Sequence, residues 1–301
     1  MKSLTATIAL GTVLCALALA AAAPATNGAR ADIDWNAVSA AIGVPGTMQT
    51  GGVYRIDLPR SDLQVKVGLV LIKPSFALGG YLTFLPTGGS NAMAMGDLVL
   101  TETELQRVVA KLAGEGIDIT AIHNHLLSEK PTVMYVHVNA MGDAVQIAQE
   151  FRAALVLSKT PLKAQKHTAA DDRVNLPTAQ LDQALGATGK ISGGVYKYSF
   201  APKYTVTSGG MTIPASMGIG TGFAFQPLGG GRAAITGDFA LLPAQVNPVL
   251  RTLRVNAIAV TSLHSHMLDV SPAMFFMHFY ATGNALSLAQ RLHAAAAAGG
   301  V

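Results

Sequence analysis

Ile117-Asp-Ile-Thr-Ala-Ile-His123-Asn-His125-Leu126 is written twice in this chain; the second copy reads Ile258-Ala-Val-Thr-Ser-Leu-His264-Ser-His266-Met267. A third histidine follows each pair, His137 and then His278. The three histidines of the second copy therefore lie 141 residues after their counterparts (123 to 264, 125 to 266, 137 to 278). Six of the eight histidines belong to this duplicated constellation, and only His167 and His293 stand outside it.

Working outward, other echoes keep nearly the same spacing. Gly51-Gly-Val-Tyr54 returns as Gly193-Gly-Val-Tyr196 at an offset of 142, and Phe84-Leu-Pro-Thr-Gly-Gly89 returns as Phe225-Gln-Pro-Leu-Gly-Gly230 at 141. Gly96-Asp97 is matched by Gly237-Asp238, and the helix pattern of residues 142–152 by that of 283–293. Two long copies are a tandem duplication rather than a solenoid. In the first copy, residues 35–42 have helical spacing, and 51–57, 65–72, 80–85 and 92–100 read as strands separated by Gly and Pro turns. Thr101-Glu-Thr-Glu104 fits a capping box that opens a helix with Leu105, Val108, Val109 and Leu112 as its buried stripe. The histidine strand, a turn at 129–131, a strand at 133–139 and a helix at 142–155 complete the unit. Strand runs followed by helices predict an α+β fold: a tandem duplication of one unit, each a mostly antiparallel sheet with helices packed on one side. The boundaries read as a signal peptide at 1–31, repeat 1 at 33–157, a linker at 158–175 holding the solvated His167, and repeat 2 at 176–298.

These features, Gly-Asp followed by a helix, Ile-His-Asn-His-Leu and the later Tyr-Val-His, resemble the LppY/LpqO family of exported bacterial proteins. The resemblance spans about residues 33–298. It implies an exported two-repeat protein in a family of unknown function, and no activity. The family's namesakes are lipoproteins, whereas here Leu14 precedes Cys15 where a lipobox requires a small residue.

The histidines carry the chemistry. Residues two apart on a strand share a face, so His123 and His125 are expected to point the same way as Ile117, Ile119 and Ala121. A hairpin centred on Lys130 would set His137 opposite His123, and the same construction centred on residue 271 would set His278 opposite His264. Three imidazoles on one face suit zinc or another divalent first-row metal, with a coordination position left for water or substrate. The candidate ligands are His123, His125 and His137 with Asp97, and His264, His266 and His278 with Asp238. The first set, beside Asn124, Ser128 and Glu129, is the more polar; the second faces a Phe-rich return strand. The aspartates also suit a turn or helix entry after glycine, and the histidines also suit hydrogen-bonded packing. Met134, Met141, Met267, Met274 and Met277 lie near the histidines and suit core packing better than copper ligation.

Three function classes remain open. They are a metal-dependent hydrolase-like enzyme, a protein binding a small-molecule ligand between the repeats, and a metal-free two-histidine enzyme.

Composition narrows the setting. Half of the 301 residues are hydrophobic and 13% are charged, which excludes a disordered chain. The net charge of +4 is scattered, with no basic block interleaved with aromatics, so a nucleic-acid partner is not expected. Lys2 followed by the apolar run Leu4–Ala23, with cleavage sites before Asp32, reads as an export signal. The mature chain would then be periplasmic or extracellular, without a membrane span or a lipid on Cys15. It would also be without cysteine, which excludes disulfides and thiolate chemistry.

Overall fold

The structure is a computed structural model that describes residues 32–164 and 173–301. The expected signal peptide, the core of the linker and His167 lie outside the described residues. No helix among those described is long and apolar enough to cross a membrane.

The first repeat runs α1 (Trp35–Ile42), β1 (Thr47–Met48), β2 (Tyr54–Pro59), β3 (Lys66–Val67), β4 (Val70–Leu71), α2 (Pro74–Ala77), β5 (Gly79–Gly88) and β6 (Asn91–Thr101). It continues through α3 (Glu102–Gly114), β7 (Asp118–His123), β8 (Glu129–Lys130), β9 (Val133–Asp143) and α4 (Ala144–Leu155). The second runs α5 (Thr178–Leu185), β10 (Lys190–Ser192), β11 (Val195–Phe200), β12 (Thr207–Ser208), β13 (Met211–Thr212), β14 (Thr221–Gly229) and β15 (Arg232–Leu241). It closes with α6 (Pro243–Val255), β16 (Ala259–His264), β17 (Phe275–Asn284) and α7 (Ala285–Ala298). Each repeat folds into a six-stranded sheet, β1-β2-β5-β6-β9-β7 and β10-β11-β14-β15-β17-β16. Every strand pair in both sheets is antiparallel. The α+β duplication is thus observed.

One face of each sheet is closed by that repeat's own helices. Val38, Ile42, Val108, Leu112, Ile147 and Phe151 pack on Ile56, Phe84, Leu98 and Val136 in repeat 1, and Leu181, Val249, Leu253 and Leu292 pack on Phe225, Ile235 and Phe279 in repeat 2. The repeated tyrosines lock the first helix of each unit. Tyr54 hydroxyl lies 2.7 Å from Ser39 Oγ, and Tyr196 hydroxyl donates to Asp182 at 2.9 Å. Helix α3 begins with the expected capping box, Thr101 N–H donating to Glu104 Oε2 at 2.8 Å. Glu104 also holds the fully buried Arg60 at 2.8 Å.

The opposite, inner face is closed by the other repeat. The segment 65–78 of repeat 1, carrying β3, β4 and α2, packs on Val195, Ala224 and Ala234 of sheet 2. Residues 206–219 of repeat 2 pack reciprocally on Val53, Leu85, Met93 and Met95 of sheet 1. Matching hydrogen bonds pin the two arms: Ser75 Oγ donates to Gly193 O at 2.7 Å and Ser216 Oγ to Thr50 O at 2.8 Å. Such reciprocity is the mark of a twofold relation.

Three local expectations change. Residues 65–72 form not one strand but a short hairpin turning at Gly68, whose φ of +55° suits glycine. The return hairpin pairs His137 with Ala121 and His278 with Ser262, a register shifted from the one expected. Its connection is an excursion in which β8 leaves the sheet to pair with β3. A β-bulge at Thr120, and its counterpart at Thr261, breaks the alternation. Ile119 therefore packs on the helix side while Ala121 and His123 share the inner face with His137.

Gly96-Asp97 and Gly237-Asp238 sit mid-strand, in β6 and β15, and not at a turn or helix entry. A Cβ at Gly237 would lie 2.0 Å from the Gly222 carbonyl oxygen, and at Gly96 2.7 Å from that of Tyr81. Gly237→Ala is expected to destabilise the protein by roughly 3 kcal/mol through overpacking, lowering Tm by roughly 6–12 °C. Gly114→Ala, at the end of α3 with open space around it, should leave Tm unchanged or raise it. Thermal unfolding of the two variants checks both.

Candidate functional site

The inner faces bring all six repeated histidines into one cluster. The rings of the equivalent pair His123 and His264 stack at 3.6 Å between centroids. On either side, His125 stacks on His278 and His137 on His266, both at 3.9 Å. Each stack takes one ring from each repeat. Two of them extend to an aromatic ring, Tyr135 on His125 at 3.4 Å and Phe276 on His266 at 3.3 Å. The expected arrangement, a separate triad in each copy, gives way to a composite. The groups whose donor nitrogens lie within 4.8 Å of one another are His123, His125 and His278, and His123, His137 and His264.

Local structure sets these positions. His123 and His264 end β7 and β16, while His125 and His266 lie just beyond those strands and not on them. Their carbonyls are the reason the loops stay put. The bulged Thr261 donates Oγ1–H to His125 O and the bulged Thr120 to His266 O, both at 2.7 Å. The bulge that shifts the strand phase thus also supplies the bond across the repeats.

The tautomers follow from the neighbours. His137 bonds the Gly96 carbonyl, and His278 Nδ1 lies 3.2 Å from the equivalent Gly237 carbonyl. His278 Nδ1 also contacts Asp238 Oδ1. His123 Nδ1 faces Asn124 O at 3.3 Å, and Ser262 Oγ lies 3.3 Å from His264 Nδ1. What remains is Nε2, and in all six histidines that atom is buried without a hydrogen-bond partner. Buried polar atoms are rarely left so. Burial is the main cause that drives five of these imidazoles towards the neutral form. It pulls His123 down to about 3 with help from His278, and holds His125, His137, His264 and His266 below the ordinary histidine value, assisted by the neighbouring rings.

The aspartates part company. Asp97, paired across the sheet with His137, is 5% exposed, and its carboxylate lies 3.8 Å from His125 Nε2 and 4.0 Å from His137 Nε2. Burial first, and the charge of Asp238 second, push its pKa well up. Asp238 is half-buried and engages Nδ1 of His278, on the far side of the ring from Nε2. Met267 and Met274 belong to the arm core, and Met141 points to solvent at 55% exposure, as packing and surface roles require.

A cavity of 480 Å³ opens beside the cluster, lined by Asp97, His125, His137, His266, Asp238 and two cations, Arg55 and Lys197. Sequence reasoning missed these cations, the bridging threonines and the stacking pair Tyr135 and Phe276. A signal was present for the first two. Extending the Gly-Gly-Val-Tyr echo by one residue aligns Arg55 with Lys197, and a threonine stands at 120 and 261 in both copies.

Comparison with known proteins adds the family and no activity. No match was found among curated proteins. The solved structures found include a trimeric bacterial microcompartment shell protein, PduB, at 13% identity, covering 85% of this chain and 91% of that one with a TM-score of 0.21. A second is the double ringed trimeric shell protein MSM0271 from the RMM microcompartment, at 12% identity, covering 72% and 87% with a TM-score of 0.18. Scores this low carry no argument about fold or function. The family described as Domain of Unknown Function (DUF1259) matches residues 36–157 and again 179–298, one match in each repeat, and the chain belongs to that family.

Proposed function

We propose that the six histidines form one composite centre for zinc or another divalent first-row metal, serving a hydrolase-like reaction in an exported envelope protein. The observation that carries it is the set of six buried, unpartnered Nε2 atoms in a single cluster, with His123, His125, His137, His264 and His266 held towards the neutral form by burial. Neutral imidazole is the form that ligates. Asp97 supplies a hard oxygen donor beside His125 and His137, and Asp238 orients His278 through Nδ1, as carboxylates behind metal-bound histidines do. A bound divalent ion would supply a water acidified to near neutral pH. The donors stand up to 4.8 Å apart. Zinc–nitrogen bonds of about 2.0–2.1 Å would require these donors to draw closer together.

Elemental analysis of the purified protein should find one to two equivalents per chain. His123 belongs to both triads, so His123→Ala should remove most of the metal, while His293→Ala, on the exposed face of α7, should remove none. A metal-free protein that binds its ligand or turns over after chelation would replace this reading with a ligand-binding or two-histidine one. The Tyr135–His125–His278 ladder of stacked rings favours that second reading.

The neutral rings also set a pH dependence. Unfolded, His123 takes up a proton below its ordinary value of 6.5; folded, it does so only at about 3. The unfolded state binds more protons between those limits. Stability is therefore fully present above pH 6.5 and declines as pH falls towards 3, by about 1.4 kcal/mol per pH unit for this residue alone. Urea unfolding of chelated protein should show its midpoint falling from pH 7.5 to pH 5; a flat profile would mean that His123 is not held neutral by burial.

Export rests on Lys2, the apolar run Leu4–Ala23 and the resemblance to the LppY/LpqO family. Intact mass of the protein recovered from periplasm or medium should begin at Asp32. Retained Met1, or a diacylglycerol on Cys15, would overturn it.

A further inference from the structure

The cavity beside the histidines holds a second repeated pair, Arg55 and Lys197, on the inner faces of β2 and β11. The Lys197 ammonium has no hydrogen bond or ion pair among the described residues, although the side chain is mostly covered. Arg55 is fixed by Asp57, which accepts from Nε at 2.8 Å, and by the ring of Tyr81, 3.9 Å beneath the guanidinium carbon. Its two terminal nitrogens have no partner among the described residues. Two cations brought together and partly desolvated repel each other, and burial together with Arg55 lowers the Lys197 pKa. Such a pair persists at a cost unless an anion joins it.

The acids nearby do not fill that role. Asp57 is taken by Arg55, Asp238 contacts His278, and Asp97 stands against His125 and His137. A neighbouring cavity of 220 Å³ shares His125, Lys197, Gly222 and Asp238 and adds the apolar surfaces of Phe76 and Ala224. The combined space has the size and lining of a small-molecule site, with a few convergent polar groups against an apolar wall.

We propose that this cavity binds the anionic head, a carboxylate or a phosphate, of a small molecule between Lys197 and Arg55, presenting the rest of it to the histidine cluster. The proposal deepens the metal-centre reading by naming its substrate class. It rests on that reading for the reaction, but not for the binding. Arg55 offers a planar fork and Lys197 a point charge, a pairing suited to an oxyanion that projects several oxygens.

The test is calorimetric titration of the full chain with inorganic phosphate and, separately, with acetate, with metal content measured on the same samples. One of the two anions should bind at one per chain, and which one does so separates phosphate from carboxylate. Lys197→Gln and Arg55→Gln should each weaken binding about 10-fold or more, the scale of one charge-assisted hydrogen bond. Lys197→Arg should keep binding within a few-fold, which separates loss of charge from loss of fold. Metal content should be unchanged throughout. Absence of binding by both anions, or a Lys197→Gln variant that binds like the parent, overturns the proposal. Anion binding that survives in protein found to hold no metal supports the pocket and removes only the metal reading. Normal metal loading with no anion bound removes only the pocket.

Discussion

Six imidazoles packed between two sheets, with every Nε2 atom buried, are the constraint on which the rest depends. The long helices of each repeat, α1, α3 and α4 or α5, α6 and α7, all lie on the outer side of its sheet and leave the inner face to be covered. The other copy must cover it. The segments 65–78 and 206–219 do so by crossing over, and the two threonine bonds to His266 O and His125 O hold the edge strands together at the axis. A charged imidazole in that layer would have to shed water against other rings. Packing therefore favours the neutral form of His123, His125, His137, His264 and His266.

The centre of the molecule also explains why the copies differ. Near a twofold axis, equivalent side chains meet their own counterparts, so two identical groups compete for one space. Position 121 is alanine and its counterpart at 262 is serine. The single Ser262 hydroxyl lies 3.5 Å from His123 Nδ1 and 3.3 Å from His264 Nδ1, serving both repeats at once. Likewise Tyr135 and Phe276 cap equivalent ladders with different chemistry, and Asp97 is buried against Nε2 atoms while Asp238 engages Nδ1. The second histidine set has the less polar surroundings because it meets Phe276 where the first meets Tyr135.

Strand geometry ties this centre to the Gly-Asp motif. Glycine at 96 and 237 lets the neighbouring strand come close on the helix side, and the aspartate that follows must then point inward. The same residues supply the carbonyls that turn His137 and His278, leaving Nε2 aimed into the cluster. One dipeptide thereby sets strand spacing, carboxylate position and tautomer.

The sequence by itself determined the duplication, the α+β unit, most of its elements and the identity of the histidines and aspartates. All of these are local or periodic: an offset of 141, a capping box at Thr101, alternation along a strand. Tertiary structure alone decided which ring meets which. A repeat seen in isolation carries no record of its partner's orientation, so pairing His125 with His278 rather than with its own His137 could not be read from either copy. The bulge at Thr120 shifted the strand phase by one residue, and β8 peeled away to pair with β3, so a midpoint rule for hairpins misplaced the register. Arg55 and Lys197 occupy equivalent positions in the two copies, and no local pattern marks them as a pair. Their meaning comes from a cavity whose walls belong to both repeats, and distances between repeats are set by packing, not by sequence spacing.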